Sequence, residues 1–189
     1  MGHKEDLLEG AKRCLLEKGL VRTTARDIVA ASGANLASIG YHYGSKAALT
    51  RLALMKLIEE WGDEIEAALT RAVPPDADPF QRFEVAWATV IEQFEQHRQL
   101  WVVNLEMVLE LDHDPELREA IVAVQPIAQR EIGKMFQRLA DSEDETVRIV
   151  GGFHQALLMG VVAQRIISPE TAPTAADLAA AMRFLVDGE

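Results

Sequence analysis

The stretch that decides the fold is Thr23–Lys46, TTARDIVAASGANLASIGYHYGSK. It predicts two short helices joined by a tight turn and followed at once by a longer helix. Thr24 is placed to cap the first short helix, because a threonine hydroxyl can accept a backbone N–H of the first turn. Gly33 ends that helix, since glycine tolerates the left-handed conformation that such a turn needs. Asn35 is a favourable cap for the second short helix, which we predict over roughly Leu36–Tyr43.

The polarity of these two helices predicts which of their faces is buried. Ile28 and Ala31 recur at helical spacing in the first, and Ile39 is the expected buried residue of the second. The residues of the second helix expected to face outward are Asn35, Ala37, Ser38, Tyr41 and His42. This is the layout of a DNA-binding helix-turn-helix, whose second helix enters the major groove. Ser45 is then expected to cap the next helix, with Lys46 in its first turn.

The charge of the chain is unevenly distributed. The net charge is −11, which is unusual for a nucleic-acid-binding protein, because basic patches are the usual signature. Residues 1–52, however, contain eight Lys and Arg against five Asp and Glu, a net charge of +3, whereas residues 53–189 carry −14. The N-terminal part would therefore be attracted to phosphate and the remainder repelled, which would orient the protein on DNA.

The rest of the chain is predicted to be helical. Val and Ile fall at helical spacing, and no Asn-Gly or Asp-Gly hairpin turn occurs. We therefore predict an all-α protein of about nine helices. The helices predicted besides the two short ones are roughly Lys4–Lys18, Ser45–Ala72, Pro79–Gln96, His97–Leu111, Pro115–Leu139, Ser142–Ile167 and Thr174–Val186.

Three of the predicted helix boundaries rest on capping signals. Asp114 is expected to cap the helix that has Pro115 at its first position. Ser142 has the capping-box spacing to Glu145, and Thr174 is expected to cap the last helix. Pro126 falls inside a predicted helix and is expected to kink it.

The chain resembles transcriptional regulators of the tetracycline-repressor (TetR) family. The residues that carry the resemblance are Gly19, Thr23-Thr24, Arg26-Asp27-Ile28, Gly33, Ser38–Lys46 (SIGYHYGSK) and Leu49. The strong match covers about residues 5–55. The resemblance implies a helix-turn-helix DNA-binding domain over residues 1–46 and a ligand-binding and dimerisation domain over residues 47–189. It also implies a homodimer that binds a palindromic operator in double-stranded DNA and is released by a small-molecule effector.

Carried onto this chain, the resemblance implies a set of DNA contacts. Thr24 and Lys46 would contact phosphates, and Arg26 would either contact phosphate or pair with Asp27 or Glu17. The residues that would face the groove are Asn35, Leu36, Ala37, Ser38, Tyr41 and His42.

Some of these assignments have open alternatives. Lys46 could be an ordinary exposed lysine, Tyr41 could pack against the first helix, and His42 could be structural. Gly40 departs from the family pattern, since many members have Tyr there, and a glycine also weakens a short helix by about 1 kcal/mol.

An apolar cavity for the effector is expected in the larger domain. Aromatic and sulfur-bearing side chains with a few polar groups are the usual lining of a ligand pocket. The candidates are Trp61, Trp87, Phe94, Trp101, Asn104, Met107, Phe153 and His154. Each of these residues could instead be packed in the core without lining a cavity, and Asn104 could instead lie on the solvent face of its helix. Asp112-His113-Asp114 has metal-capable side chains, but a helix break and a cap explain it better, so no metal and no cofactor are predicted.

Small and apolar residues in the last two helices predict where a second chain would pack. They are Gly152, Ala156, Leu157, Gly160, Val161, Met182, Phe184 and Leu185. Small residues allow helices to approach closely, and the resemblance makes this face the dimer interface, a four-helix bundle across a two-fold axis. The alternative is that these residues are buried within one chain.

Other classes of protein are disfavoured. No phosphate-binding loop, nucleophile elbow or dinucleotide glycine motif occurs, so an enzyme is not predicted. No 18-residue apolar run or signal peptide is evident, and the lone Cys14 fits a reducing compartment, so a cytoplasmic location is expected. A helical small-molecule-binding protein whose head no longer binds DNA remains the alternative, and Gly40 is the feature that favours it.

Overall fold

The computed structural model describes residues 3–137 and 144–188, and every regular element in these ranges is an α-helix. The helices there are α1 (His3–Lys18), α2 (Ala25–Ser32), α3 (Leu36–Tyr43), α4 (Lys46–Ala72), α5 (Pro79–Gln96), α6 (Arg98–Glu110), α7 (Pro115–Gln137), α8 (Glu145–Ile167) and α9 (Ala175–Asp187). The prediction of an all-α fold of about nine helices is confirmed. The predicted ends of α1, α4, α5 and α6 agree with the structure to within one residue.

The first three helices, which we call the head, share one small core. Its side chains are Leu7, Ala11, Leu15, Ile28 and Ile39, each at most 4% exposed. Because α2 and α3 have only eight residues each, they would be marginal helices in isolation. Burial of each large apolar side chain contributes about 1.5–3 kcal/mol, so this core holds them in place. Gly10 permits close packing of α1 on α2, since a Cβ there would lie 2.9 Å from the Cβ of Ser32.

Side-chain caps fix where the short helices begin. The Thr24 hydroxyl accepts the Asp27 N–H at 3.2 Å, and the Asp27 carboxylate accepts the Thr24 N–H at 2.9 Å, which together form a capping box. The Asn35 side chain caps α3, and the Ser45 hydroxyl accepts the Ala48 N–H at the start of α4. Each of these caps was predicted from the sequence.

The start of α8 differs from the prediction. Asp144, not Ser142, is the N-cap of α8, and its carboxylate accepts the Thr146 N–H at 2.9 Å. Ser142 itself and the predicted end of α7 near Leu139 lie outside the described residues. Helix α7 continues past Pro126 to Gln137.

The chain divides into two compact units. The first comprises Met1–Gly62 and His97–Arg118, so the head packs with the beginning of α4 and with α6. The second comprises Asp63–Gln96 and Glu119–Glu189. The division at residue 46 described above is a division by function, and it stays a prediction.

Within the second unit, glycines allow α7 and α8 to cross at short range. A Cβ at Gly151 would lie 1.6 Å from the Gln129 carbonyl oxygen, and one at Gly133 would lie 2.1 Å from the Val147 carbonyl oxygen. No other residue type fits at these two positions without moving a backbone. Helix α9 packs along α5, and the Arg183 guanidinium lies 5.6 Å from the centre of the Phe80 ring.

Helix α8 is long and apolar enough to meet the length and composition criteria for a membrane span. This differs from the expectation that no apolar run of 18 residues occurs. The signal is weak, because a helix packed in the core of a soluble protein passes the same test. His154 on this helix is buried at 3% exposure, whereas 28% of the apolar window as a whole is buried.

Candidate nucleic-acid interface

Helix α3 presents one buried residue to the head and leaves most of its surface exposed. Ile39 is 4% exposed, whereas Leu36 is 55% and Tyr41 is 86% exposed. A side chain as large as tyrosine gains nothing from the fold at such exposure. The exposed face of α3 is therefore available to a partner, as the sequence predicted for a recognition helix.

The cap of α3 limits what Asn35 can do. Its Oδ1 accepts both the Ser38 N–H and the Ser38 hydroxyl, each at 3.0 Å. A bidentate contact of asparagine with adenine uses Oδ1 as acceptor and Nδ2 as donor. With Oδ1 engaged in the cap, Asn35 offers a base edge mainly the two N–H donors of its amide group.

The three consecutive ring residues of α3 have different environments. The Tyr41 ring contacts the His42 ring edge-on, with 4.8 Å between centroids. The Tyr43 hydroxyl instead donates to the Lys4 carbonyl oxygen at 2.5 Å and so ties the end of α3 to α1. Of the two tyrosines, Tyr43 is the one that packs against the first helix, and Tyr41 points away from the core.

The start of α4 lies against the turn that precedes α2. The Lys46 ammonium donates to the Thr23 carbonyl oxygen at 3.1 Å. Thr23 is 2% exposed, and its hydroxyl donates to the Gly19 carbonyl oxygen at 2.6 Å. Lys46 is thereby held next to the first residue of the α2 cap, Thr24. An ammonium has three N–H donors, so two remain for a phosphate.

Asp27 is paired, and Arg26 is not its partner. The Asp27 carboxylate forms an ion pair with Lys18 and accepts from Thr24. The Lys18 ammonium, followed by the Thr24 hydroxyl and N–H, holds the pKa of the Asp27 carboxyl well below its usual range. Arg26 is exposed, and none of the hydrogen bonds or ion pairs seen among residues 3–137 and 144–188 engages its guanidinium. The alternative pairing of Arg26 with Asp27 is thus not what the structure contains.

The nine residues predicted to contact DNA occupy three consecutive elements of one unit. They lie at the start of α2 (Thr24, Arg26), on α3 and its cap (Asn35, Leu36, Ala37, Ser38, Tyr41, His42) and at the start of α4 (Lys46), and each is exposed or half-buried. Their roles toward DNA stay predictions.

Sequence reasoning missed two contacts that hold these elements. Arg22 donates through Nε to the Lys18 carbonyl oxygen at 2.7 Å, at the end of α1. Glu106, on α6, accepts the Leu20 N–H at 2.6 Å. The first contact spans four residues, and a basic residue after a helix end is a local signal for it. The second joins residues 86 positions apart, and no local pattern reveals it.

The eight residues predicted for an effector pocket fall into both units. Trp61, Trp101, Asn104 and Met107 lie in the first unit, and Trp87, Phe94, Phe153 and His154 lie in the second. In the first, the Trp61 and Trp101 rings meet edge-on at 4.8 Å. Their pocket role stays a prediction.

In the second unit, aromatic rings surround His154. Its imidazole stacks on Phe136 at 4.0 Å and on Trp87 at 6.0 Å, and it meets Phe153 edge-on at 5.5 Å. Burial lowers the pKa of His154 to about 4, so the ring is neutral at pH 7. Neither His154 Nδ1 nor Trp87 Nε1 has a hydrogen-bond partner among the described residues.

A groove of about 270 Å³ lies beside α8, between residues of this helix and residues at and before the start of α9. Its lining is Phe153, Ala156, Leu157, Gly160, Val161, Gln164, Pro173 and Leu178. Four of these residues were predicted for the dimer interface, and only Phe153 was predicted for the effector pocket. Of the other interface candidates, Phe184 is 61% and Leu185 is 77% exposed.

The segment Asp112-His113-Asp114 contains a helix cap and two residues that form ion pairs. The Asp114 carboxylate accepts the Leu117 N–H at 2.9 Å at the start of α7 and an Arg51 N–H at 2.8 Å. The Leu117 N–H is the main reason that the pKa of Asp114 is lowered, and the Arg51 charge adds to it. Asp112 pairs with Arg118. No group of three metal-ligating side chains that could hold an ion occurs within the described ranges.

A three-helix head with an exposed second short helix, followed by a larger helical region, defines the class of helix-turn-helix DNA-binding regulators. Two family models match the chain. That of the bacterial regulatory proteins of the tetR family matches residues 7–52, and that of the tetracyclin repressor-like C-terminal domain matches residues 78–188. The second match alone covers more than half of the sequence. The chain belongs to the tetracycline-repressor family, whose members are ligand-responsive DNA-binding transcriptional regulators.

Solved structures of similar fold cover nearly the whole chain. A putative transcriptional regulator from Rhodococcus sp. RHA1 has a TM-score of 0.72 at 17% identity, with 97% of this chain and 94% of that chain covered. A putative tetR-family regulator from Mesorhizobium loti has a TM-score of 0.70 at 15% identity, with 97% and 96% covered. A putative transcriptional regulator from Streptomyces coelicolor has a TM-score of 0.67 at 20% identity, with 96% of each chain covered. No curated protein sequence matches the chain.

Proposed function

We propose that this protein is a homodimeric repressor that binds a palindromic operator through α3 of each chain and is released by a small-molecule effector. The observation that carries the proposal is the exposed face of α3, with Tyr41 at 86% exposure beside a capped helix start. The family membership supports the same function. A cytoplasmic location follows from the proposed target.

The proposed DNA contacts divide into two kinds. Thr24, Arg26 and Lys46 bind phosphates and set the position of the head, whereas the exposed residues of α3 contact base edges. Leu36 has no side-chain donor, so its contribution is apolar contact, for example with a thymine methyl group. Tyr41, at 86% exposure, is more accessible than Leu36 at 55%.

The proposed effector site and the proposed dimer interface both include residues of α8. His154 lies among aromatic rings, and its Nδ1 and the Nε1 of Trp87, which have no hydrogen-bond partner among the described residues, are polar groups that a bound molecule could satisfy. The proposed interface consists of small and apolar residues of α8 and α9, namely Gly152, Ala156, Leu157, Gly160, Val161, Met182, Phe184 and Leu185. A palindrome requires two heads related by a two-fold axis, which a dimer supplies.

The first experiment is selection of binding sites from a random duplex library, with purified protein at about 100 mM salt to suppress non-specific phosphate binding. An enriched palindrome would support the proposal. A folded protein that enriches no sequence would favour the alternative, a helical small-molecule-binding protein with a degenerate head. Gly40 favours this alternative. The residue is exposed, and a Cβ at this position would meet nothing within 4 Å.

Substitutions at Lys46 and Ser38 separate phosphate contact from base contact. We expect Lys46→Ala to weaken binding to all duplexes and to lower the slope of log K against log salt by about 1.8 for the two heads of a dimer. Lys56→Ala, on the same helix but paired with Glu59, is the matched control. Ser38→Ala should change site preference at an unaltered slope. Equal losses on all sequences for both variants would contradict the role of Ser38.

A further inference from the structure

We propose that Glu106, on α6, is a positioning residue for the DNA contacts of the head. This inference rests on the proposed function, because it concerns how the head is held for DNA. The Glu106 Oε2 accepts the backbone N–H of Leu20 at 2.6 Å. Leu20 lies in the turn between α1 and α2, so a side chain of α6 holds the backbone that leads into the reading helices.

The turn is shaped to receive this carboxylate. Gly19 has a φ of +84°, a left-handed conformation that favours glycine. A Cβ at Gly19 would lie 2.8 Å and 2.9 Å from the two Glu106 carboxylate oxygens. The glycine therefore serves two purposes: it ends α1, and it leaves room for Glu106.

Hydrogen bonds continue from this turn to the proposed phosphate contacts. The Gly19 carbonyl oxygen accepts from the Thr23 hydroxyl at 2.6 Å, and the Thr23 carbonyl oxygen accepts from the Lys46 ammonium at 3.1 Å. The next residue, Thr24, caps α2. A displacement of the backbone at Leu20 would thus be transmitted through two hydrogen bonds to Lys46 and along the chain to Thr24.

The contact is favourable only while α6 stays in place. A carboxylate near the C-terminus of a helix is disfavoured by the helix dipole, and Glu106 lies at the end of α1. The charge-assisted hydrogen bond to Leu20 offsets this repulsion, but it requires a short distance. A small movement of α6 would lose the hydrogen bond and leave the repulsion, which makes the contact sensitive to the position of that helix.

Helix α6 also carries three of the proposed effector-pocket residues, Trp101, Asn104 and Met107. Glu106 is therefore on the same rigid element as side chains proposed to meet the effector. Coupling between two sites requires an element whose position both of them influence. Helix α6, linked through Glu106 to the turn before α2, meets this requirement.

The test compares Glu106→Ala, which removes the acceptor, with Glu106→Gln, which keeps an acceptor oxygen at the same reach. Glu110→Ala is the matched control, a carboxylate one turn further along α6. Each full-length variant is measured in three ways: affinity for the duplex recovered in the site selection at about 100 mM salt, hydrogen exchange of the peptide that contains Leu20, and thermal unfolding.

We expect Glu106→Ala to bind the duplex about tenfold more weakly, within the usual range of coupling effects, and to exchange the Leu20 amide about tenfold faster. Glu106→Gln and Glu110→Ala should stay within about twofold of the unaltered protein in both measurements. If Glu106→Ala does not fold, Glu106→Asp, which shortens the side chain by one methylene, replaces it with the same expectations.

Two results would overturn the inference. One is that Glu106→Ala, which lacks the acceptor, binds the duplex with the same affinity as the unaltered protein. The other is a Glu106→Gln variant that loses as much affinity as Glu106→Ala, since the carboxylate charge and not the hydrogen bond would then matter. Failure of the unaltered protein to bind any duplex would instead contradict the proposed function itself.

Discussion

Acidification should destabilise this protein through His154. The imidazole is 3% exposed, and burial lowers its pKa from the ordinary value near 6.5 to about 4. The unfolded chain therefore takes up a proton on this residue as the pH falls below about 6.5, while the folded chain stays neutral until about pH 4. The contribution of His154 to the free energy of unfolding is therefore fully present above pH 6.5. It is lost as the pH falls from about 6.5 to about 4.

The size of the effect follows from the pKa difference. One pKa unit corresponds to about 1.36 kcal/mol, so the full loss below pH 4 is roughly 3 kcal/mol. At pH 5 the unfolded chain is almost fully protonated at this residue and the loss is about 2 kcal/mol. That is a large part of the 5–15 kcal/mol typical of a native protein.

The assay is denaturant unfolding between pH 4.5 and 7.5 at fixed protein concentration. His154→Phe keeps a ring against Phe136 but cannot take up a proton, so its stability should lack this 2 kcal/mol loss at pH 5. His113→Gln removes an exposed histidine and should behave as the unaltered protein. If His154→Phe loses stability on acidification as steeply as the unaltered protein, His154 is not the cause and the reasoning is wrong.

Two further predictions concern packing and capping, and both are measured by denaturant unfolding. Gly151→Ala should cost about 3 kcal/mol, because its Cβ would collide with the Gln129 carbonyl oxygen. Gly62→Ala, where a Cβ meets nothing within 4 Å, should stabilise α4 by about 0.5–1 kcal/mol, and similar effects at both sites would refute the close crossing. Thr174→Ala should cost about 1 kcal/mol, since it removes the capping box with Asp177. No loss there would mean that α9 begins without this cap.

The parts of the fold that the sequence predicts well are those that depend on neighbouring residues. The capping boxes at Thr24 and Thr174 involve residues three positions apart, and glycine or proline marks most helix ends. The predicted start of α8 at Ser142 was wrong, since Asp144 is the N-cap, although serine and aspartate are both favourable N-cap residues. Local preference does not choose between two favourable cap residues that lie two positions apart.

Local sequence patterns do not predict contacts between residues that are far apart in the chain. Periodicity indicates which face of α6 is apolar, but it does not say that Glu106 meets the turn at Leu20. For the same reason the proposed pocket residues could not be assigned to one unit or the other. Trp61 and Trp87 both lie within predicted helices, yet Trp61 contacts Trp101 and Trp87 contacts His154.

We propose that the groove beside α8 contacts a second chain and not an effector, and Gly160 offers a direct test. The groove there is open along the helix, and its volume of about 270 Å³ is below the range usual for ligand pockets. A Cβ at Gly160 would meet nothing within 4 Å of its own chain, so Gly160→Leu should fold at least as stably as the unaltered protein. A two-fold interface places the same surface of both chains in contact, so each added side chain would obstruct the other chain. Sedimentation equilibrium should then show at least tenfold weaker dimerisation at unchanged helix content, whereas an undiminished dimer would show that the chains meet elsewhere.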